Sequence, residues 1–355
     1  MYSLVRALLF RLEAEEAHRR ALALARSVGR FPPARAVLAA LARVESTRLE
    51  VSAFGLKFKN PVGLAAGYDK GGRAIAGLSA LGLGHLEIGT VTVRPQPGNQ
   101  RPRVHRFLDE RALVNSMGFP NEGVGDLLAQ RFEPRGRCVI GVNIGKNKDT
   151  PLERAADDYC ELIRRVAARA DYIAINISSP NTPGLRQLQD RGALEDLLRA
   201  VTKTRDAQAH RVPLLVKIAP DLSEAEVDTM LEAMSAAAID GVIATNTTTD
   251  RSGLPERAQS LPGGTSGAPL NARALAMTRL LAGRTHGKLP IIGVGGILTP
   301  QDAIERLRAG AHLIQLYTGL IYEGPFLVRR VLKELVRTCQ REGLTSVSEL
   351  GGGAR

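Results

Sequence analysis

Where short apolar runs of this chain end, a set of amide, lysine and glycine residues recurs. In order they are Ala66-Gly67 with Lys70, Thr90, Asn143, Asn176, Lys217, Thr245-Asn246, Gly295-Gly296 and Tyr317-Thr318-Gly319. The asparagines, joined by Asn115 and Asn181, offer neutral donor and acceptor pairs suited to a flat, amide-rich ligand such as a pyrimidine or an isoalloxazine edge. Lys70 and Lys217 are costly to bury without an anionic partner, and a reduced flavin or a carboxylate substrate would supply one. Gly295-Gly296 and Thr318-Gly319 let backbone N–H groups approach a ligand, which implies a phosphorylated cofactor. Each residue taken singly is an ordinary strand end; the ring of them, converging on one mouth, is a binding site. Metal chemistry is not expected, because the six histidines are dispersed without ligand spacing. No G-x-S-x-G nucleophile elbow is present either.

The elements that must hold this ring alternate between two periods. Runs rich in β-branched and apolar residues predict strands over 61–67, 85–92, 138–144, 172–178, 214–219, 241–247, 290–296 and 313–319. Stretches of helical period fit between them, for example 153–168, 193–208, 223–237 and 300–309, the last two with Ser223 and Thr299 as start signals. Eight βα units predict an α/β fold, a (β/α)8 TIM barrel whose site lies at the C-terminal ends of the strands. The rival, a doubly wound sheet, lacks its G-x-G-x-x-G turn. Inserts at 94–122 and 248–268 fall at that same rim, as lids or substrate loops do.

Residues 1–43 read differently, with eight Arg against three Glu and Leu4, Leu8, Leu9, Leu12, His18, Leu22 and Ala25 at helical spacing. Two short basic amphipathic helices are expected, serving either as a cap on the barrel or as a patch that meets anionic lipid. The domains are then 1–43, a barrel over 44–341 and a flexible tail over 342–355.

Composition narrows the partners. The 48 basic and 36 acidic side chains give a net charge of +12, which suits anionic small molecules, lipid or nucleic acid. With 4% aromatics and no Trp, no stacking platform for nucleic acid is legible, and none is expected as a partner. Three scattered cysteines imply no disulfide framework and fit a reducing cytosol. No apolar stretch is long enough to span a bilayer.

The segments GLAAGYDK (63–70), EIGTVTVRPQPGN (87–99), NSMGFPNEG (115–123), GVNIGKNKDT (141–150), AINISSPNTPGLR (174–186), VKIAPDLS (216–223), GVIATNTT (241–248), GGTSGAPL (263–270), IIGVGGI (291–297) and QLYTGLIYEGP (315–325) together carry a family likeness. On these, from Met1 to the last helix, the chain resembles the class 2, quinone-linked dihydroorotate dehydrogenases. The resemblance implies oxidation of dihydroorotate to orotate in pyrimidine biosynthesis, with FMN taking the hydride and a membrane quinone as final acceptor. FMN would be contacted by Ala66, Gly67, Lys70, Thr90, Asn143, Asn176, Lys217, Thr245, Gly267, Gly296, Tyr317 and Thr318. The substrate would lie among Lys70, Asn115, Ser116, Met117, Gly118, Phe119, Asn176, Asn181, Asn246 and Thr247.

Class 1 members of that family use a cysteine as base and class 2 members a serine, which here is Ser179. Class 2 also carries an N-terminal helical extension, so the resemblance implies a quinone entrance at residues 1–43, with His18, Arg106 and Tyr317 expected along the tunnel. A monomer held peripherally on the cytoplasmic side of the cell membrane, against anionic lipid, is the corresponding expectation. One departure is visible: Ser116 stands where the family commonly has Arg, which bears on the contacts of that loop. Two other readings stay open: a class 1-like enzyme handing electrons to fumarate or NAD, and a non-catalytic flavin-binding barrel.

Overall fold

The computed structural model describes residues 2–130 and 138–351. All eight expected strands form, as Val62–Leu64, His85–Val91, Val139–Ile144, Tyr172–Asn176, Leu214–Ile218, Gly241–Ala244, Ile291–Val294 and Leu313–Leu316. They pair in parallel in chain order, and the eighth returns to the first through Leu316 beside Leu64, closing the barrel. Most of their residues are buried on both faces, because one side meets the barrel interior and the other the surrounding helices. The strands are shorter than the sequence runs, and at the first, sixth, seventh and eighth the residues trimmed from the C-terminal end line the mouth.

Helices Ala155–Val166, Arg191–Asp206, Glu224–Ala236 and Pro300–Arg308 lie between strands as expected. Two have reciprocal N-terminal caps, Ser223 with Glu226 and Thr299 with Asp302, which satisfy amides that have no partner inside the helix.

The inserts fold against each other. Val104–Phe107 and Ala112–Asn115 from the first, with Gly264–Gly267 from the second, make a three-stranded antiparallel sheet in which Gly264 pairs with Asn115. At the opposite end, a hairpin of Val51–Ala53 and Leu56–Phe58 precedes the first barrel strand.

Two expectations need correction. The N-terminal region forms three helices rather than two: α1 (Tyr2–Leu9), α2 (Ala14–Arg30) and α3 (Pro32–Ala42). Glu13 caps α2, and Pro32 and Pro33 open α3 just after Phe31, where a missing N–H costs nothing. Residues 342–351 are not a loose tail either, since Val347 and Leu350 are buried in a short 3-10 turn, Val347–Gly351, against the body of the barrel. The remaining tail residues, 352–355, lie outside the described residues.

The extension is fastened to the barrel rather than tethered. Gly77 allows α2 to pack so closely that a Cβ there would stand 1.9 Å from the Ala25 carbonyl. Glu15 on α2 bridges Arg103 at 2.7 Å and Arg101 at 2.6 Å. Tyr2 and Arg6 on α1 donate to the carbonyls of Ile321 and Tyr322.

Candidate active site

The strand ends and the insert sheet enclose an open cavity. Ala66, Gly67, Lys70, Thr90, Asn176, Lys217, Thr245, Gly267, Gly296, Tyr317 and Thr318 line it. So do Asn115, Met117, Gly118, Phe119, Asn181, Asn246, Thr247 and Ser179. Residues remote in sequence therefore converge because each ends a strand or caps an insert.

Four expected residues do not line the cavity. Asn143 lies in the network behind it, where its Oδ1 accepts from Thr90 at 2.6 Å and from Asn176 at 3.2 Å, and its Nδ2 donates to Glu87 at 2.8 Å. Its side chain thus orients two lining residues. Ser116 uses its backbone, donating to the Arg103 carbonyl and accepting from Asn99 Nδ2 at 2.9 Å, so the departure at that position leaves the loop anchored by main chain. Arg106 donates to the carbonyls of Leu9, Phe10 and Leu12 and lies 4.7 Å from the Phe10 ring, clamping the turn after α1. His18 stacks edge-on against Tyr68 at 4.9 Å, and Tyr68 in turn meets Tyr317 at 5.7 Å. An aromatic row thus leads from α2 to the cavity wall. Burial, reinforced by the nearby charge of Lys70, pushes His18 down to about 4, so its ring is neutral near pH 7.

Beneath the cavity is a buried polar cluster. Glu87, on the second strand, accepts from Gln315 Nε2 at 2.8 Å and from the Tyr172 hydroxyl at 3.1 Å, besides Asn143. Lys217 Nζ lies 3.8 Å from the same carboxylate. Burial lowers the Lys217 pKa and the Glu87 charge opposes that shift. Sequence reading missed Glu87, Gln315, Tyr172 and Tyr68. The available signal was a carboxylate and an amide inside the otherwise apolar runs HLEIGTV and LIQL, which demands internal partners.

Lys70 donates to the Gly67 carbonyl at 2.8 Å and reaches the Met117 sulfur at 3.7 Å, but has no carboxylate of its own in the mouth. Burial pulls it down to about 8. On the facing side, Ser179 is buried and its Oγ accepts from the Asn181 amide at 3.2 Å. Arg186 holds that loop down by donating to the Ser178 and Thr247 carbonyls and pairing with Asp221 at 3.0 Å.

Three polar atoms of lining residues lack any hydrogen-bond partner in the structure: Asn181 Oδ1, Thr247 Oγ1 and Gln315 Oε1. Buried polar atoms are nearly always satisfied, so a ligand with several donors is what this wall is built to receive. Among the described residues no cluster of metal-ligating side chains occurs.

Fold and site together define a (β/α)8 barrel with a polar, lysine-bearing cavity at the C-terminal ends of its strands. The chain belongs to the dihydroorotate dehydrogenase family, whose sequence model matches residues 48–338. Proteins named dihydroorotate dehydrogenase (quinone) are similar along nearly the whole chain. That of Roseiflexus sp. (strain RS-1) is 46% identical over 99% of this chain and 98% of its own. That of Thermobifida fusca (strain YX) is 47% identical over 97% and 94%, and that of Pseudomonas aeruginosa (strain UCBPP-PA14) 46% over 96% and 100%. Among solved structures, DHODH from Eimeria tenella in complex with ferulenol superposes with a TM-score of 0.86 at 35% identity, covering 97% of this chain and 98% of that one.

Proposed function

We infer that this chain oxidises dihydroorotate to orotate, with FMN in the barrel mouth and a quinone as the final electron acceptor. The reaction and its acceptor are those named by relatives that match from end to end, and the cavity gathers side chains of the types that chemistry needs. The observation that carries the reading is the juxtaposition in one cavity of Ser179, the amides Asn115, Asn176, Asn181 and Asn246, and the cations Lys70 and Lys217.

FMN, when bound, supplies a two-electron acceptor for the hydride leaving C6 of the substrate. Ser179 removes the C5 proton, and the loop pinned by Arg186 holds its hydroxyl in the cavity. Among the described residues no histidine or carboxylate bonds to that hydroxyl; a water or the Thr182 hydroxyl, which is buried and has no partner among the described residues, relays the proton. Lys70 receives the substrate carboxylate, the asparagines bond the ring amides, and Lys217 favours negative charge as it gathers in the mouth. Ala66, Gly67, Thr90, Asn176, Thr245, Gly267, Gly296, Tyr317 and Thr318 would hold the cofactor, and Gln315 Oε1, without a partner among the described residues, is an acceptor free to face it.

The quinone approaches along α1 and α2 toward His18, Tyr68 and Tyr317, and the same helices rest on the cytoplasmic face of the membrane. Exposed Leu4, Val5 and Leu8 on α1, Leu24 on α2, Phe31 between α2 and α3, and Val37 and Leu41 on α3 support that reading. No described helix is long and apolar enough to cross a membrane.

Anaerobic mixing of the flavin-loaded protein with dihydroorotate tests the reaction. Loss of the oxidised-flavin absorbance, reversed by a soluble quinone and not by fumarate or NAD, is expected. An unbleached flavin would reduce the molecule to a binder, and reoxidation by fumarate or NAD would remove the quinone.

A further inference from the structure

Arg306 heads the fully buried side chains by size. It rises from the helix Pro300–Arg308 into the layer behind the seventh barrel strand. Gly293 makes the room for it, since a Cβ at that glycine would stand 2.5 Å from Arg306 Cγ. Nη2 donates to the Gly295 carbonyl at 2.8 Å and to the Asn271 carbonyl at 3.4 Å. Nε and Nη1 are buried without any hydrogen-bond partner among the described residues. Asp302, the carboxylate that acts on Arg306 electrostatically, has its Oδ2 committed to the amides of Leu298 and Thr299. Burial lowers Arg306 to about 10, which still leaves it charged near pH 7.

A guanidinium kept dry, charged and half unbonded is unfavourable unless a negative charge comes near it. The pocket is one residue away, because Gly295, Gly296 and Ile297 all line it. The turn is also held from behind at both of its glycines. Arg306 takes the Gly295 carbonyl, and Asn271 Nδ2 takes the Gly296 carbonyl at 2.7 Å. Both glycines have positive φ, 113° and 70°, and at Gly296 a Cβ would collide with Asn271 at 2.3 Å. Neither Arg306 nor Asn271 lines the cavity, so both act on a ligand only through the turn and through space.

We propose that Arg306 is a positioning residue and the buried counter-charge for the phosphoryl group of the bound flavin nucleotide, acting through the Gly295-Gly296 turn. This rests on the reading that the cavity takes FMN. A unit charge at about 10 Å, in an effective dielectric of about 20, changes the affinity for a charged group by roughly tenfold or more. Riboflavin, identical but for the phosphate, does not feel that term.

The test is titration of FMN and of riboflavin into flavin-free, full-length protein, followed by quenching of flavin fluorescence. Wild type binds FMN more tightly than riboflavin. Arg306→Gln, which is neutral and shorter, lowers the preference for FMN over riboflavin by roughly tenfold. Arg306→Lys, which restores the charge, restores the preference. Equal loss for both flavins in Arg306→Gln means that Arg306 only props the turn, and overturns the proposal. A wild type without preference for FMN overturns the phosphate reading itself, a separate outcome. Should Arg306→Gln not fold, Arg306→Lys decides alone: a preference kept supports the counter-charge and a preference abolished removes it.

Discussion

Lys217 Nζ stands 3.8 Å from the Glu87 carboxylate, and both side chains are buried, Lys217 in the cavity wall on the fifth strand and Glu87 behind it on the second. The other contacts of Glu87, from Asn143, Tyr172 and Gln315, are all donors. The carboxylate is thus an acceptor hub that no neutral side chain reproduces, since an amide would set its own NH2 against a donor. Removing either charge leaves the other buried and less well paired. Glu87→Gln and Lys217→Met should each destabilise the flavin-free protein, and their double variant should be more stable than the sum predicts by about 1–2 kcal/mol. Denaturant melts of the four proteins measure this, and strict additivity would show that the two charges do not interact.

Ser179 has a backbone amide on its Oγ and no basic partner, so the serine works by position more than by basicity. Ser179→Ala should keep yellow FMN and bind orotate with near-normal affinity while flavin reduction slows by about 10²–10⁴-fold. Thr182→Val should slow reduction less than Ser179→Ala does, again without loss of orotate affinity. Rapid mixing with dihydroorotate reads both; an unchanged rate in either variant removes that hydroxyl from the proton path.

Lys70 supplies the pH dependence. Its value falls from the ordinary 10.5 to about 8 chiefly through burial. The folded protein therefore binds fewer protons at this site than the unfolded chain between those two values, and the penalty of burying the ammonium is relieved as pH rises across that window. Wild-type stability minus that of Lys70→Met, a difference that cancels the buried tyrosines and Cys138, should increase over this range. Binding of an anion by the protonated lysine has the opposite slope: orotate affinity should weaken above about pH 8. Lys70→Arg, which stays protonated, should flatten that curve. An orotate titration series across pH that shows no weakening in wild type would exclude Lys70 as the carboxylate's partner.

Much of this was legible because two strong regularities coincide. Val139–Ile144 and Tyr172–Asn176 are nearly continuous β-branched or apolar runs, as strands buried on both faces must be, and the barrel rule then assigns their polar ends to the site. The three-stranded sheet was not legible. Its strands Val104–Phe107 and Gly264–Gly267 have four residues each, and the second pairs with Ala112–Asn115 across roughly 150 positions, a contact with no local signature. Glu87 was hidden for the complementary reason: a charge inside a buried strand has meaning only through Asn143, Tyr172, Lys217 and Gln315, which four other strands or strand ends bring to it. His18 was placed in the right helix, but its route to the mouth runs through Tyr68, which the sequence did not single out.

The N-terminal helices carry the last prediction. Deleting residues 1–43 would do more than remove three exposed helices. Arg103, 5% exposed and paired with Glu15, also donates to the carbonyls of Pro97 and Asn99. Asn99 in turn donates to the carbonyls of Ser116 and Asn181, on two loops of the cavity. Loss of Glu15 thus leaves a buried arginine unpaired next to the substrate loops, so the deletion mixes two effects. Leu4 and Leu8 separate them, since they are 72% and 64% exposed and α1 has no buried residue. Leu4→Ser with Leu8→Ser should lower cosedimentation with anionic lipid vesicles, leaving reduction by dihydroorotate and turnover with a soluble quinone close to wild type. Glu15→Gln should do the reverse, sparing vesicle binding and raising the orotate Kd by roughly tenfold, as for a charged partner left buried. Vesicle binding that survives the double serine variant would remove α1 from the lipid contact, and an unaltered orotate Kd in Glu15→Gln would uncouple α2 from the substrate loops.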